Sequence, residues 1–272
     1  MTDTELVDED FVQEAVKITE QAQKANVPLR AMGACAIRIH CPNHLKLHRV
    51  TMQRRITDLD FMTLREYQTN VRDIVKQYGY SPDLAMVGIG RDIYRNAEKS
   101  IVMDVFFDRL EMCHTIEFEN RLEIDFPTLS LADLILQKLQ VVKINEKDVK
   151  DVIVLLLEHE VGQGDKETID TEHIAKLLAG DWGFYYTVTT NLNKARNMAA
   201  NQYGNMLLQE EVKTIDSRVD NMLSRFNEEP KSMKWKMRER VGTKRIWYRE
   251  VEEVAMGSLT EYLMKKYQRE GE

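Results

Sequence analysis

Apolar residues recur at helical spacing at Phe11, Ala15, Ile18 and Ala22, which predicts a first helix ending before Pro28. The stretch 29–41 opens on small residues and closes on alternation, with Ile37 and Ile39 set against Arg38 and His40. It fits either a helix beginning after Gly33 or a strand. A loop rich in His, Lys and Arg follows over 42–54, and 56–64 reads as a strand. Tyr67, Val71, Ile74, Val75 and Tyr78 predict an amphipathic helix closed by Gly79. Residues 101–107 are nearly all apolar, as in a central strand. A turn over 108–113 and a partner strand over 114–124 are expected next.

From Ser130 the period becomes helical, with Leu131, Leu134, Ile135, Leu139 and Val142 on one face. Asn145 suits an N-cap, and Asp148 at the third helical position resembles a capping box for a second helix running to about His159. Gly162, Gly164 and Asp165 suggest a linker. A helix over 171–178 ends at Gly180, and a long charged helix carries Val212, Ile215, Val219, Met222 and Phe226 until Pro230 stops it. A sheet-forming part followed by helices predicts an α+β fold: a mixed sheet flanked by helices over 1–164, then an all-helical C-terminal extension over 165–272.

Composition narrows the class. The 272 residues, 43% hydrophobic and 31% charged, are enough for a normal core. A formal net charge of -7 excludes a uniformly basic protein that coats nucleic acid, and leaves room for a local basic patch. Three cysteines, Cys35, Cys41 and Cys113, fit a reducing cytosol with no disulfide partner. The acidic start carries no signal peptide, and the longest aliphatic run, 152–157, is too short to span a membrane. A soluble cytoplasmic protein is expected.

The candidate chemistry lies in carboxylates. In a strand, alternate residues face one side, so Asp58 and Asp60 would project together. Two adjacent carboxylates repel unless a cation lies between them, and oxygen ligands favour Mg²⁺ or Mn²⁺. Two such ions about 4 Å apart need a third carboxylate. Asp104 suits this, as the one charge inside the apolar run 101–107. The plainer reading makes Asp58 or Asp60 a turn former and pairs Asp104 with Arg91 or Arg95.

Gly33-Ala34, then Asp58-Leu59-Asp60 about 25 residues on, then a distant strand aspartate resembles the DNA polymerase beta-type nucleotidyltransferase superfamily. The order Asp104, Lys138-Leu139, then Asp148 and Asp151 is similar to its bacterial abortive-infection toxin type. The resemblance covers about residues 29–159, roughly half the chain. It implies metal-dependent transfer of a nucleoside monophosphate from an NTP to an acceptor. It implies that Asp58 and Asp60 hold both ions and the triphosphate, and that Asp104 completes the catalytic metal site. Gly33 would let the backbone approach the phosphates, and Lys138 would reach the triphosphate as a point charge. Ala34 and Lys143 depart from the pattern: Ala34 stands where Gly or Ser is usual, and Lys143 where the toxin type often has Arg. An inactive nucleotide-binding or protein-interaction module on the same fold is the alternative.

Arg54 and Arg55, just before the Asp58 strand, suit phosphate contacts or a surface salt bridge. Cys35, His40, Cys41, His44 and His48 have zinc chemistry but no matching spacing. Gly88 and Gly90 suggest a turn. Between Lys231 and Tyr248, Lys234, Lys236, Arg238, Arg240, Lys244 and Arg245 interleave with Trp235 and Trp247. That mixture suits an RNA acceptor through phosphate pairing and base stacking, or a tail docked on the core by its tryptophans, the reading favoured here.

Overall fold

The computed structural model describes residues 8–83 and 90–251, so Gly88 and the far C-terminal segment lie outside the described residues. In chain order the elements are α1 (Asp8–Lys24), β1 (Arg30–Met32), α2 (Gly33–His40), β2 (Leu59–Thr63), α3 (Gln68–Gln77), β3 (Ser81–Pro82), β4 (Arg91–Asn96), β5 (Ile101–Phe107), β6 (Arg109–Glu111) and β7 (Thr115–Glu117). Then follow α4 (Leu131–Leu139), α5 (Glu146–Glu158), β8 (Glu160–Gly162), β9 (Thr168–Asp170), α6 (Thr171–Gly180), α7 (Trp182–Asn201), α8 (Gln209–Glu228) and α9 (Met233–Val241). The fold is α+β: a small mixed sheet flanked by helices, with helices making up the C-terminal part. The sheet runs β1-β2-β5-β4-β3, with β2 and β5 parallel and the other neighbours antiparallel.

β5 is central, but it is not buried on both faces. Ile101, Met103, Val105 and Phe107 are buried, whereas Val102, Asp104 and Phe106 alternate with them on a half-buried face. A single charge is tolerated there because that face is not sealed. Strand β2 begins at Leu59, so Asp60 lies within it and Asp58 sits exposed in the bend before it. The expected strand over 114–124 is much shorter. Only Thr115–Glu117 is extended, and it pairs with β6 as a separate ribbon. Asp108 turns the chain out of the large sheet: its φ is +64°, its N–H donates to the Thr63 carbonyl, and its Oδ1 accepts the Arg65 N–H at 2.8 Å. Past Glu117 the alternation gives way to turns, and Arg121 is drawn to Asp133 at 2.9 Å. The expected linker is also more ordered, because β8 and β9 pair in parallel across it.

The helix caps follow the sequence. Ser130 accepts the Asp133 N–H, Asn145 that of Asp148, Asp170 those of Glu172 and His173, and Asp181 those of Gly183 and Phe184. Asp148 makes no local box: its carboxylate meets Lys138 Nζ at 2.9 Å. Ile215, Val219, Met222 and Phe226 form the buried stripe of α8, and one hydrophobic core runs from Phe11 to Phe226. No helix of the described residues is long and apolar enough to cross a membrane, and Cys35, Cys41 and Cys113 are free and buried.

The 231–248 segment is docked by its aromatics. Trp235 is 5% exposed, and its Nε1 donates to the Leu178 carbonyl at 3.0 Å. Trp247 Nε1 donates to Thr187 Oγ1 at 3.1 Å, and Thr187 Oγ1 in turn donates to the Gly183 carbonyl. His114 Nε2 shares the same hydroxyl at 2.9 Å, and its ring stacks on Phe184 at 4.8 Å. Burial pushes the His114 pKa down from 6.5 to about 4. A depressed histidine adds stability that is complete above its unfolded pKa and is lost as pH falls through the folded one. Between pH 7 and 4, wild type should therefore lose up to roughly 3 kcal/mol more stability than His114→Phe, measured by urea unfolding. An unchanged difference between the two proteins at both pH values would place the ring in water-like surroundings.

Candidate functional site

The parallel register of β2 and β5 sets Asp60 directly opposite Asp104. Directly paired residues share a face, so both carboxylates rise from the half-buried side of the sheet. Asp58 lies two residues earlier, at the mouth of the strand. β1 brings Met32 opposite Asp60, and α2 begins at the next residue, Gly33. Gly33 has φ +67°, and a Cβ built on it would overlap the Asp60 carboxylate Oδ2. Glycine is thus required twice, by backbone conformation and by the space the acid occupies. The first turn of α2, Gly33 and Ala34, therefore stands against Asp60. The Gly33 N–H points to Gln137 Oε1 of α4 at 3.4 Å.

Three acids so placed disturb one another. The Asp60 carboxyl is pushed well above the usual range by burial first, then by Asp58 and Asp104, while Lys138 and Arg91 pull it back. Asp104 is raised by burial, opposed by Arg91 and Arg95. Arg91 Nη1 holds Asp104 Oδ2 at 2.8 Å, the ion pair that the sequence offered as the plain alternative. Among the described residues no three His, Cys, Asp or Glu side chains stand ready-made around one ion. The donor set nevertheless suits a hard divalent cation: carboxylate oxygens on adjacent strands, with a charge excess that a cation would relieve.

A second charged cluster gathers around Asp151. Asp151 of α5 is fully buried and accepts His48 Nε2 at 2.9 Å, Arg54 Nε at 2.9 Å and Arg54 Nη2 at 3.1 Å. Lys138 Nζ completes it at 3.0 Å, while also meeting Asp148 at 2.9 Å. Burial alone would raise the Asp151 carboxyl, but Lys138, His48 and Arg54 hold it far below the usual range. Lys138 is raised despite burial, by Asp151 and Asp148. Arg54 is therefore part of a buried network and not a surface pair, whereas Arg55 is exposed. The histidines and cysteines considered for zinc disperse: His44 goes to Glu158 at 2.6 Å, His48 to Asp151, and His40 to Thr128 at 2.6 Å.

The sequence reading missed the His48–Asp151 contact and Gln137. Gln137 is 5% exposed, and its Nε2 is buried without a hydrogen-bond partner among the described residues. Its only signal was adjacency to Lys138. His48 stood out only for its zinc chemistry, and nothing in its own stretch pointed to Asp151, 103 positions later.

No protein family matches the chain's sequence, and no curated protein does. Solved structures similar to it include the solution structure of the antibiotic-resistance factor ANT(2'')-Ia, at 16% identity over 55% of this chain and 84% of that one, with a TM-score of 0.39. ANT(2'')-Ia in complex with adenylyl-2''-tobramycin is 18% identical over 53% of this chain and 86% of that one, TM-score 0.38. An antigenic nucleotidyltransferase-like protein from Paracoccidioides brasiliensis is 14% identical over 76% of this chain and 94% of that one, TM-score 0.39. The roles of residues in this chain rest on their own geometry.

Two outcomes follow from the electrostatics. A folded-state pKa raised above the unfolded one adds stability at low pH that is lost as pH rises, so ionised Asp60 opposes folding at pH 7 when no ion is bound. Asp60→Asn should raise the melting temperature in a chelator at pH 7 and abolish stabilisation by Mg²⁺; a lower melting temperature would show that Asp60 is satisfied by the protein itself. Asp151→Asn should cost about 3–5 kcal/mol in urea unfolding, since it leaves buried cations unpaired. Asp148→Asn, whose side chain is partly exposed, should cost much less. Equal losses would remove Asp151 from its central place.

Proposed function

We propose that the chain transfers a nucleoside monophosphate from an NTP to an acceptor, with Asp58, Asp60 and Asp104 holding Mg²⁺ or Mn²⁺. The observation that carries this is the pairing of Asp60 with Asp104 across β2 and β5, facing a helix start where only glycine fits. The acceptor hydroxyl attacks the α-phosphorus, the bond to the β-phosphate oxygen breaks, and pyrophosphate leaves with its electron pair. Bound divalent ions would neutralise the charge that gathers on the phosphates. The chain's own groups do the rest. Asp104 would help take the hydroxyl proton. The backbone at Gly33 and Ala34 lets phosphate approach the N-terminus of α2. Lys138 spends two of its three ammonium hydrogens on Asp148 and Asp151, and the third can serve a phosphate oxygen. Arg55, exposed before Asp58, is a further phosphate contact.

The core of this chemistry lies in residues 1–164, and the toxin-type bacterial assignment belongs to the same proposal. The acceptor is an RNA, a protein or a small molecule. Trp235 is occupied in docking and offers no stacking platform, so contact with RNA would fall to the exposed Lys234, Lys236 and Arg240.

Incubation with each α-labelled NTP, Mg²⁺ or Mn²⁺, and cellular RNA, protein or small-molecule fractions should label one fraction and release pyrophosphate. Asp60→Asn and Asp104→Asn should each reduce this by about 10²-fold or more. Pyrophosphate release that survives both substitutions would sink the assignment. Stable NTP binding without release would leave a nucleotide-binding module.

A further inference from the structure

Arg91 faces the proposed site yet belongs to none of the motifs above. On β4, Ile93 is register partner to Asp104 and Arg91 to Phe106, so Arg91 shares the half-buried face with both acids of the sheet. Its guanidinium bonds Asp104 at 2.8 Å and lies 5.6 Å from the Phe106 ring. The side chain is 35% exposed and Asp104 19%, so the pair sits at the rim and not in the core. An exposed ion pair of this kind adds little to stability.

The charges make this arginine more than a structural partner. A carboxylate oxygen held by a guanidinium is a poorer ligand, because the cation must leave or share its lone pairs. Two divalent ions among three aspartates already leave one positive charge in excess, and Arg91 would add another. A triphosphate reverses that balance and presents oxygens that match a guanidinium fork. Lys138 cannot make the same exchange, since Asp148 and Asp151 hold it from beneath.

We propose that Arg91 is a placeholder cation, which neutralises Asp104 until divalent ions arrive and then passes to the triphosphate of the incoming nucleotide. This rests on the nucleotidyl-transfer reading. It makes binding of ions and nucleotide mutually dependent: ions alone must displace Arg91, whereas ions with nucleotide give it a new partner. Phe106 would keep the guanidinium stem in place during the exchange.

The test uses the full chain with Arg91→Gln and Arg91→Lys. Mn²⁺ alone is titrated by electron paramagnetic resonance, and inorganic tripolyphosphate with Mg²⁺ by calorimetry. Arg91→Gln should bind Mn²⁺ on the order of threefold to tenfold more tightly and Mg²⁺-tripolyphosphate on the order of tenfold more weakly, while Arg91→Lys restores part of the second affinity. A merely structural residue cannot move the two affinities in opposite directions. If Arg91→Gln weakens both or changes neither while wild type binds both, the placeholder role is wrong and the nucleotidyl-transfer reading stands. If wild type binds neither probe, both fall together.

Discussion

A single buried anion holds the site's foundations. Asp151 cannot remain ionised in the core without partners, and it gathers three: His48, whose pKa burial pushes down, and Arg54 from the segment before β2, and Lys138 from α4. An unpaired buried carboxylate would cost several kcal/mol, so these contacts are effectively obligatory once α5 packs. Their consequence is positional. The loop anchored at His48 and Arg54 is the one that delivers Asp58 to the start of β2. The helix anchored at Lys138 is the one that carries Gln137 to the backbone of Gly33.

The acids of the sheet are paired less fully. Asp58, Asp60 and Asp104 sit close enough that Asp60 is raised by both neighbours; Arg91 bonds Asp104, and the Thr57 hydroxyl donates to Asp58 at 3.3 Å. The contrast between the two clusters is informative. Around Asp151, Lys138 and Arg54 supply opposite charge and His48 a hydrogen bond. Where the carboxylates of Asp58, Asp60 and Asp104 gather, negative charge is left in excess.

The C-terminal part contributes by packing. Trp235 and Trp247 each place an indole N–H on an acceptor within the helical layer, and α7 brings Thr187 to both Trp247 and His114. Trp235 turns inward from α9 and Trp247 anchors the stretch after it, while Lys234, Lys236, Arg240, Lys244 and Arg245 stay exposed. A segment that reads as a nucleic-acid grip is thereby divided into an anchoring face and a solvated one.

Much of this could be read along the chain. Periodicity located α1, α3, α4 and α8; α1, α3 and α8 each bury one stripe whose spacing is fixed by the helix itself, while α4 is buried nearly all round. Ser130 and Asn145 declared their helices through cap chemistry, which is local. The lone charge in 101–107 marked Asp104, because burying an isolated acid is expensive wherever it occurs. What sequence could not decide was pairing. The alternation over 114–124 looked like a full strand, but Asp108 turns the chain away, and a strand exists only where a neighbour accepts its hydrogen bonds. Likewise Arg54 read as a surface residue, because nothing in its own neighbourhood shows that Asp151, 97 positions later, lies beneath it. Residue types and spacing determined which side chains could carry the chemistry; register and long-range ion pairing, which depend on the whole chain being folded at once, decided which of them meet.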